Sequence, residues 1–206
     1  MQKKYVIGVD GGTESLRAGV FDLSGNPLAF ASVPYPTNFP IPGWAEQNPE
    51  DWWNALGGAV RQAVIDANVG KQEILGICLD TTCCSVVTLD GAGNPLRPAL
   101  IWMDMRSAPQ TEQVLATADP ARQVNSNGSG PVSAEWMIPK SLWIQQEEPE
   151  IFEKAETVCE FQDYLNLHPL RRRTSSPIPH PFLRWRSSDD GLGPFPRKED
   201  CHLPEL

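Results

Sequence analysis

An α/β fold, with a mixed β-sheet flanked by helices, is what this sequence predicts, and three observations predict it. Residues 5–33 carry three strand-length apolar segments in close succession, each ended by glycine, aspartate, asparagine or proline. Residues 48–67 then place apolar side chains at three-to-four spacing, as a helix with one buried face does. Strand-length segments resume at Ile74 to Leu79 and at Ser85 to Leu89.

Taken in order, Tyr5 to Val9 is an uninterrupted apolar run suited to a strand covered on both faces. It stops at Asp10-Gly11-Gly12-Thr13-Glu14-Ser15, a turn signal, and a second strand is expected from Leu16 to Phe21. A third, Leu28 to Val33, is joined to it across Asp22-Leu23-Ser24-Gly25-Asn26-Pro27. A proline-rich crossing comes next, and then Asn48 can cap a helix with Pro49 at its first position. Trp52, Trp53, Leu56, Ala59, Val60, Ala63, Val64 and Ala67 form the apolar stripe of that helix. ALIWMD, residues 99–104, is a further candidate strand. DLSGNPL (22–28) and DGAGNPL (90–96) echo one another, so the same hairpin is used twice. Helices are expected at Ala108 to Thr117 and Pro139 to Gln146.

Composition divides the chain near residue 166. Up to that point ten Lys and Arg face 21 Asp and Glu, a net of −11; beyond it seven face five, a net of +2. The last segment holds all three histidines and seven of the 20 prolines, and it has neither helical nor strand periodicity. The expected organisation is therefore a folded unit over residues 1–166 and an irregular or disordered C-terminal tail over residues 167–206. Arg171-Arg172-Arg173 in that tail reads as a solvated charge run.

A net charge of −9 argues against nucleic acid or an anionic membrane as partner. An anionic ligand would need a local device: a backbone nest, a metal or a single arginine. No apolar run approaches the length of a membrane span or a signal-peptide core. The five cysteines, Cys78, Cys83, Cys84, Cys159 and Cys201, are odd in number and lack metal spacing, so the expectation is a reduced, cytoplasmic protein. Cys83 and Cys84 read as small buried fillers, since no histidine in residues 1–166 could activate them.

The first turn carries the strongest chemical signal. A tight turn between antiparallel strands can point successive N–H groups inward as an anion nest. Gly11 and Gly12 would let the backbone approach phosphate oxygens, Thr13 and Ser15 add hydroxyls, and Arg17 could meet phosphate or pair with an acid. Asp10 is placed to hold the water shell of a phosphate-bound Mg²⁺. Neither the Gly-Lys-[Ser/Thr] ending of a P-loop nor G-x-G-x-x-G is present, and spacing alone leaves an ordinary hairpin turn as the other reading.

The stretch DGGTESLR with GVFD after it closely resembles the first phosphate motif of the FGGY carbohydrate kinases, members of the sugar-kinase/Hsp70/actin superfamily. PGWAEQNPEDWW (42–53), LDTTCCSVVTLD (79–90), IWMDMRS (101–107) and GPVSAEWMIPKSLWIQQEEPEIF (130–152) resemble later motifs in order, the last in the ribulokinase-like branch, and CEFQDYLN (159–166) fits the family's next segment. The resemblance spans residues 4–166. It implies an incomplete actin/Hsp70-like (RNase H-like) domain that uses ATP and Mg²⁺. Cofactor contacts would come from Asp10, Gly11, Gly12, Thr13, Ser15 and Arg17, with Asp10 as the metal-organising acid. Sugar contacts would come from Thr82, Cys83, Trp102, Asp104, Arg106 and Glu135. Taken singly, several have a second reading: Trp102 as core, Arg106 as a structural partner of Asp104, and Glu46 and Gln47 as pins for the proline-rich loop.

The match stops after Asn166, and neither the family's later catalytic aspartate motif nor its second-domain glycine-rich motifs is found. No catalytic residue is therefore assigned. The resemblance implies a truncated ATP-dependent kinase for a ketopentose such as D-ribulose, inactive alone. The alternatives are a non-catalytic sugar- or phosphate-binding or interaction module that associates with a full-length kinase subunit, and an Hsp70-like ATPase fragment, which the W-x-D-x-R and E-Q-x-P-x-x-W-W segments disfavour.

Overall fold

The computed structural model describes residues 4–117, 119–120 and 132–171. Strands β1 (Tyr5–Gly11), β2 (Ser15–Asp22) and β3 (Pro27–Pro34) form a meander, as the apolar runs require. Helix α1 (Pro49–Asp66) crosses back, and β5 (Ile74–Thr81) then pairs parallel to β1, giving a mixed sheet of order β3-β2-β1-β5. Two-residue β4 (Glu46–Gln47), β6 (Val86–Leu89), two-residue β7 (Ala99–Leu100) and β8 (Thr157–Glu160) make a second sheet, β4-β7-β6-β8, paired antiparallel throughout. Helices α2 (Ala108–Ala116), α3 (Met137–Glu147), α4 (Pro149–Lys154) and α5 (Phe161–Arg171) complete the described chain.

Two details depart from the expectation. ALIWMD forms a strand only at Ala99–Leu100, because Asp104 N–H closes a turn onto Ile101 O and draws the rest into a loop. Helix α5 carries the ordered chain five residues past Asn166, to Arg171; the remainder of the expected tail, residues 172–206, lies outside the described residues.

Helix α1 shows why this sequence packs as it does. Asn48 Oδ1 accepts from Glu50 N–H, Pro49 opens the helix, and Glu50 and Asp51 face the positive end of its dipole. At its other end Asn68 takes a left-handed φ of 53°, a helix stop that asparagine tolerates. Trp52, Ala55, Ala59 and Ala63 are buried against β2 and β3, and the small residues let the helix lie close to the sheet. Ile7, Val9, Leu16, Ala18 and Val20 supply the facing layer, closed at one end by Phe161, Tyr164 and Leu165 of α5. A second core of Val86, Leu100, Trp143 and Ile144 joins the other sheet to α3.

The echoed hairpins are the same device twice. Asp22 Oδ1 accepts from Ser24 and Asn26 N–H and Oδ2 from Asn26 Nδ2; Asp90 repeats the Asn bonds with Asn94, and Gly25 and Gly93 adopt φ of 86° and 83°. The Asn26 side-chain bond, reinforced by backbone N–H groups, holds the Asp22 carboxyl below its usual range. Slight burial pushes Asp90 the other way, but the Asn94 bonds outweigh it and its pKa also falls.

The face of the first sheet opposite α1 carries Phe21 and Phe30 in an edge-to-face pair, with centroids 5.6 Å apart, over Gly19. No described element covers that face, and Leu28, Phe30, Leu75 and Ile77 are exposed there or along the β5 edge. No helix among the described residues is long and apolar enough to cross a membrane.

Candidate functional site

The β1–β2 turn is fastened to the body of the protein through its carbonyl groups. Gly11 O accepts from Thr82 N–H at 2.9 Å, Gly12 O from the Tyr35 hydroxyl, Thr13 O from Gln47 Nε2 at 2.7 Å and Glu14 O from Tyr35 N–H at 3.1 Å. In a trans peptide the carbonyl of one residue and the N–H of the next point in opposite directions. The bonds to Gly12 O and Thr13 O therefore turn the Thr13 and Glu14 N–H groups away from Tyr35 and Gln47. Neither has an acceptor among the described residues. The nest expected from sequence reduces to these two amides.

The glycines serve different ends from those expected. Neither has a positive φ. A Cβ on Gly11 would come within 3.0 Å of both Phe161 Cζ and Thr81 Cγ2, so packing of Phe161 into the core by itself requires a glycine there. Gly12 is the open one: its nearest neighbours are Ser15 O at 3.4 Å and Arg17 Nη1 at 3.6 Å. Beside it Arg17 donates to Asp10 Oδ2 at 2.7 Å across the strand pair, both side chains more than half exposed. An exposed pair of this kind contributes about 0–1 kcal/mol, so either partner is available to a ligand.

The candidate sugar contacts divide into two groups. Trp102 stands partly exposed and donates from Nε1 to Thr13 Oγ1 at 2.9 Å, so it joins the two halves of the site and is not core. Thr82 and Glu135 are half-buried and Cys83 is exposed, so the filler reading of Cys83 is corrected. Asp104 and Arg106 are different: both are buried, and they hold each other. Asp104 accepts from Ala45 N–H at 2.6 Å and from Arg106 N, Nε and Nη2 at 2.8–3.0 Å. Arg106 also meets Glu46 Oε1 at 2.8 Å and lies 3.7 Å over the Trp44 ring. With its oxygens committed and no exposed surface, Asp104 is not a polyol acceptor. The pair shapes the loop that presents Trp102, and Glu46 and Gln47 are likewise pins, Gln47 also bonding Thr37 Oγ1 and Trp52 Nε1.

Sequence reasoning passed over Lys140. Its side chain is fully buried on α3, with Nζ donating to Ile101 O at 2.7 Å, Cys84 O at 2.8 Å and, at 3.4 Å, Trp102 O. One amine thus ties the Thr82–Cys84 turn to the Trp102 loop. The P-K-S-L-W motif marks the residue, but nothing local reveals its burial. Burial pushes its pKa down to about 8, against the opposing pull of Asp104, Cys84, Glu135 and Glu160. Below about 8 the amine is charged in both folded and unfolded chains. Between there and its ordinary 10.5 only the unfolded chain keeps the proton, so stability rises with pH across that window. Urea midpoints from about pH 7 to about pH 9.5 should show the wild type gaining on Lys140→Met; a constant difference would refute the shift.

Residues 5–170 match the N-terminal domain of the FGGY family of carbohydrate kinases. The chain is 31% identical over 165 residues to the xylulose kinase of Lactococcus lactis, covering 79% of this chain and 32% of that one. It is 33% identical over 189 residues to the ribulokinase of Anoxybacillus flavithermus, covering 80% and 33%. Among solved structures, the xylulose kinase from Rhodospirillum rubrum superposes with a TM-score of 0.72 at 32% identity, over 80% of this chain and 33% of that one. The chain spans about a third of the length of these relatives.

Proposed function

From the premise that the chain belongs to the FGGY family of carbohydrate kinases, we propose that it forms the sugar-recognising and phosphate-facing part of an ATP-dependent kinase for a ketopentose such as D-ribulose. The observation that carries this is the bond from Trp102 Nε1 to Thr13 Oγ1, which sets the exposed indole of one loop against the hydroxyl of the phosphate-motif turn. A sugar stacked on Trp102 and held by Thr82, Cys83 and Glu135 would then lie beside the Thr13 and Glu14 amides, Ser15 and Arg17. These are the groups we assign to ATP phosphates. Asp10 fits a Mg²⁺ ion, which retains most of its water and needs one or two carboxylates. Its Oδ2 is held by Arg17, and Oδ1 has no hydrogen bond among the described residues. The ion would neutralise phosphate charge there. None of the four described cysteines is in a disulfide, in keeping with a cytoplasmic protein.

Alone, the chain is proposed to bind without transferring phosphate. Titration calorimetry with D-ribulose, D-xylulose and glycerol should detect D-ribulose, and Trp102→Ala should weaken it by about tenfold. A coupled ADP-release assay should stay at background. Absence of heat with any sugar, or robust turnover, would sink the respective half of this assignment. The uncovered apolar face around Phe30 favours a second reading, an interaction module that pairs with a full-length kinase subunit. Co-purification with an intact kinase, lost in Phe30→Glu, tests it.

A further inference from the structure

Cys83 and Cys84 do more than the sugar-contact reading asks of them. Cys84 holds a left-handed φ of 62°, which a residue with a Cβ adopts at a cost of about 1–2 kcal/mol. Three elements enforce it. Cys84 N–H donates to Glu160 Oε2 at 3.1 Å from β8, Cys84 O accepts from Lys140 Nζ at 2.8 Å from α3, and Thr82 N–H is held by Gly11 O of β1. Ser85 O then accepts from Phe161 N–H at the start of α5, so the dipeptide is pinned on both sides. Within this frame the two thiols stand on adjacent residues, Cys83 exposed and Cys84 half-buried, and neither is in a disulfide.

We propose that Cys83 and Cys84 form a two-thiol chelating site for trivalent organoarsenicals, built into the turn between β5 and β6. Coordination number selects the ligand class. A structural zinc ion wants four donors, and the described residues hold no group of three or more His, Cys, Asp or Glu that could surround a metal. A trivalent arsenic atom carrying one organic substituent needs two sulfurs and no more. The reaction is a condensation: both S–H bonds break, two As–S bonds form, and the arsenoxide oxygen leaves with the two protons as water. Arsenic stays trivalent, so no oxidant is required. Because the backbone that carries the pair is already held in place, closing the chelate ring needs only the two side chains to be ordered. Burial first, then the neighbouring Cys83, raises the Cys84 pKa to about 11. That keeps Cys84 a thiol and disfavours peroxide oxidation, which runs through thiolate, while leaving condensation open.

The chelate does not depend on the sugar assignment, but one consequence rests on it. Lys140 bonds both Cys84 O and Trp102 O, so an adduct on Cys83 would crowd the surface where the sugar is placed. The test uses the purified full chain and phenylarsine oxide, read by intact mass. The expected result is one adduct per chain that survives excess monothiol and is reversed by a dithiol such as 2,3-dimercaptopropanol. Cys83→Ser and Cys84→Ser should each abolish it, while a triple serine variant at Cys78, Cys159 and Cys201 should keep it. Cys83 is exposed, so its variant is expected to fold, and its circular dichroism confirms that. A monothiol-resistant adduct in Cys83→Ser, or an adduct that forms only after denaturation, overturns the proposal. D-Ribulose should slow adduct formation; an adduct that forms at the same rate with sugar present supports the chelate and tells against the sugar assignment instead.

Discussion

Replacing Asp104 with alanine should destabilise the protein by about 3–5 kcal/mol, the range for removing one partner of a buried ion pair. The effect comes from what remains behind. Arg106 would keep its place against Trp44 and Trp143 with Glu46 as its one close carboxylate among the described residues, and Glu46 is already shared with Arg97 at 2.8 Å. Ala45 N–H would lose its acceptor as well. Against a total stability of roughly 5–15 kcal/mol, such a loss is a large fraction. Urea denaturation monitored by tryptophan fluorescence measures it. Two companions sharpen the result. Asp104→Asn keeps the shape and one acceptor and should cost less, and Asp104→Ala with Arg106→Met removes both charges and should recover much of the loss. If Asp104→Ala left the midpoint unchanged and abolished only sugar binding, the side chain would be a ligand contact after all.

Trp52→Ala should cost a similar amount, about 3–5 kcal/mol, through a cavity at the junction of α1 and α5. The indole is fully buried, 3.9 Å from the Phe161 ring centroid and in edge contact with Tyr164 at 6.3 Å. Its Nε1 donates to Gln47 Oε1 at 2.9 Å, and Gln47 in turn holds Thr13 O. The lesion therefore reaches the candidate site as well as the core. Calorimetry should show Tm falling by roughly 10 °C. Trp52→Phe retains the stacking and forfeits the Gln47 bond, so it should cost about 1 kcal/mol. A small effect of Trp52→Ala would mean that the α1–α5 junction can collapse around the missing ring.

The parts of this fold that were legible in the sequence are those written in local chemistry. The first three strands come from apolar runs bounded by turn residues, and α1 from its asparagine cap, its proline and its stripe. The repeated Asp-x-x-Gly-Asn-Pro loop betrays itself because aspartate and asparagine close it within five residues. What escaped was set by partners far along the chain. The second sheet rests on strands of two residues, too short for any periodicity to register. Asp104 reads as a surface acceptor until Ala45, 59 residues earlier, is brought against it. Lysine is by habit a surface residue, and only three converging carbonyls make Lys140 an interior one. Cys83 erred the other way: the lack of a histidine to activate it suggested buried filler, whereas the turn between β5 and β6 leaves it exposed.

The fastening of the first turn by its carbonyls has an electrical consequence. With the negative ends of its peptide dipoles drawn into the body of the protein, the turn presents their positive ends at Thr13 and Glu14, beside an Arg17 whose charge is already shared with Asp10. A chain of net charge −9 can in this way offer a favourable spot to an anion while repelling it at long range. Mobile ions weaken interactions between exposed charges over a Debye length of about 10 Å at 0.1 M, but they scarcely penetrate to a dipole in direct contact with its ligand. Raising ionic strength should then help an anion reach this turn, by muting the surrounding acids more than it weakens the seat itself.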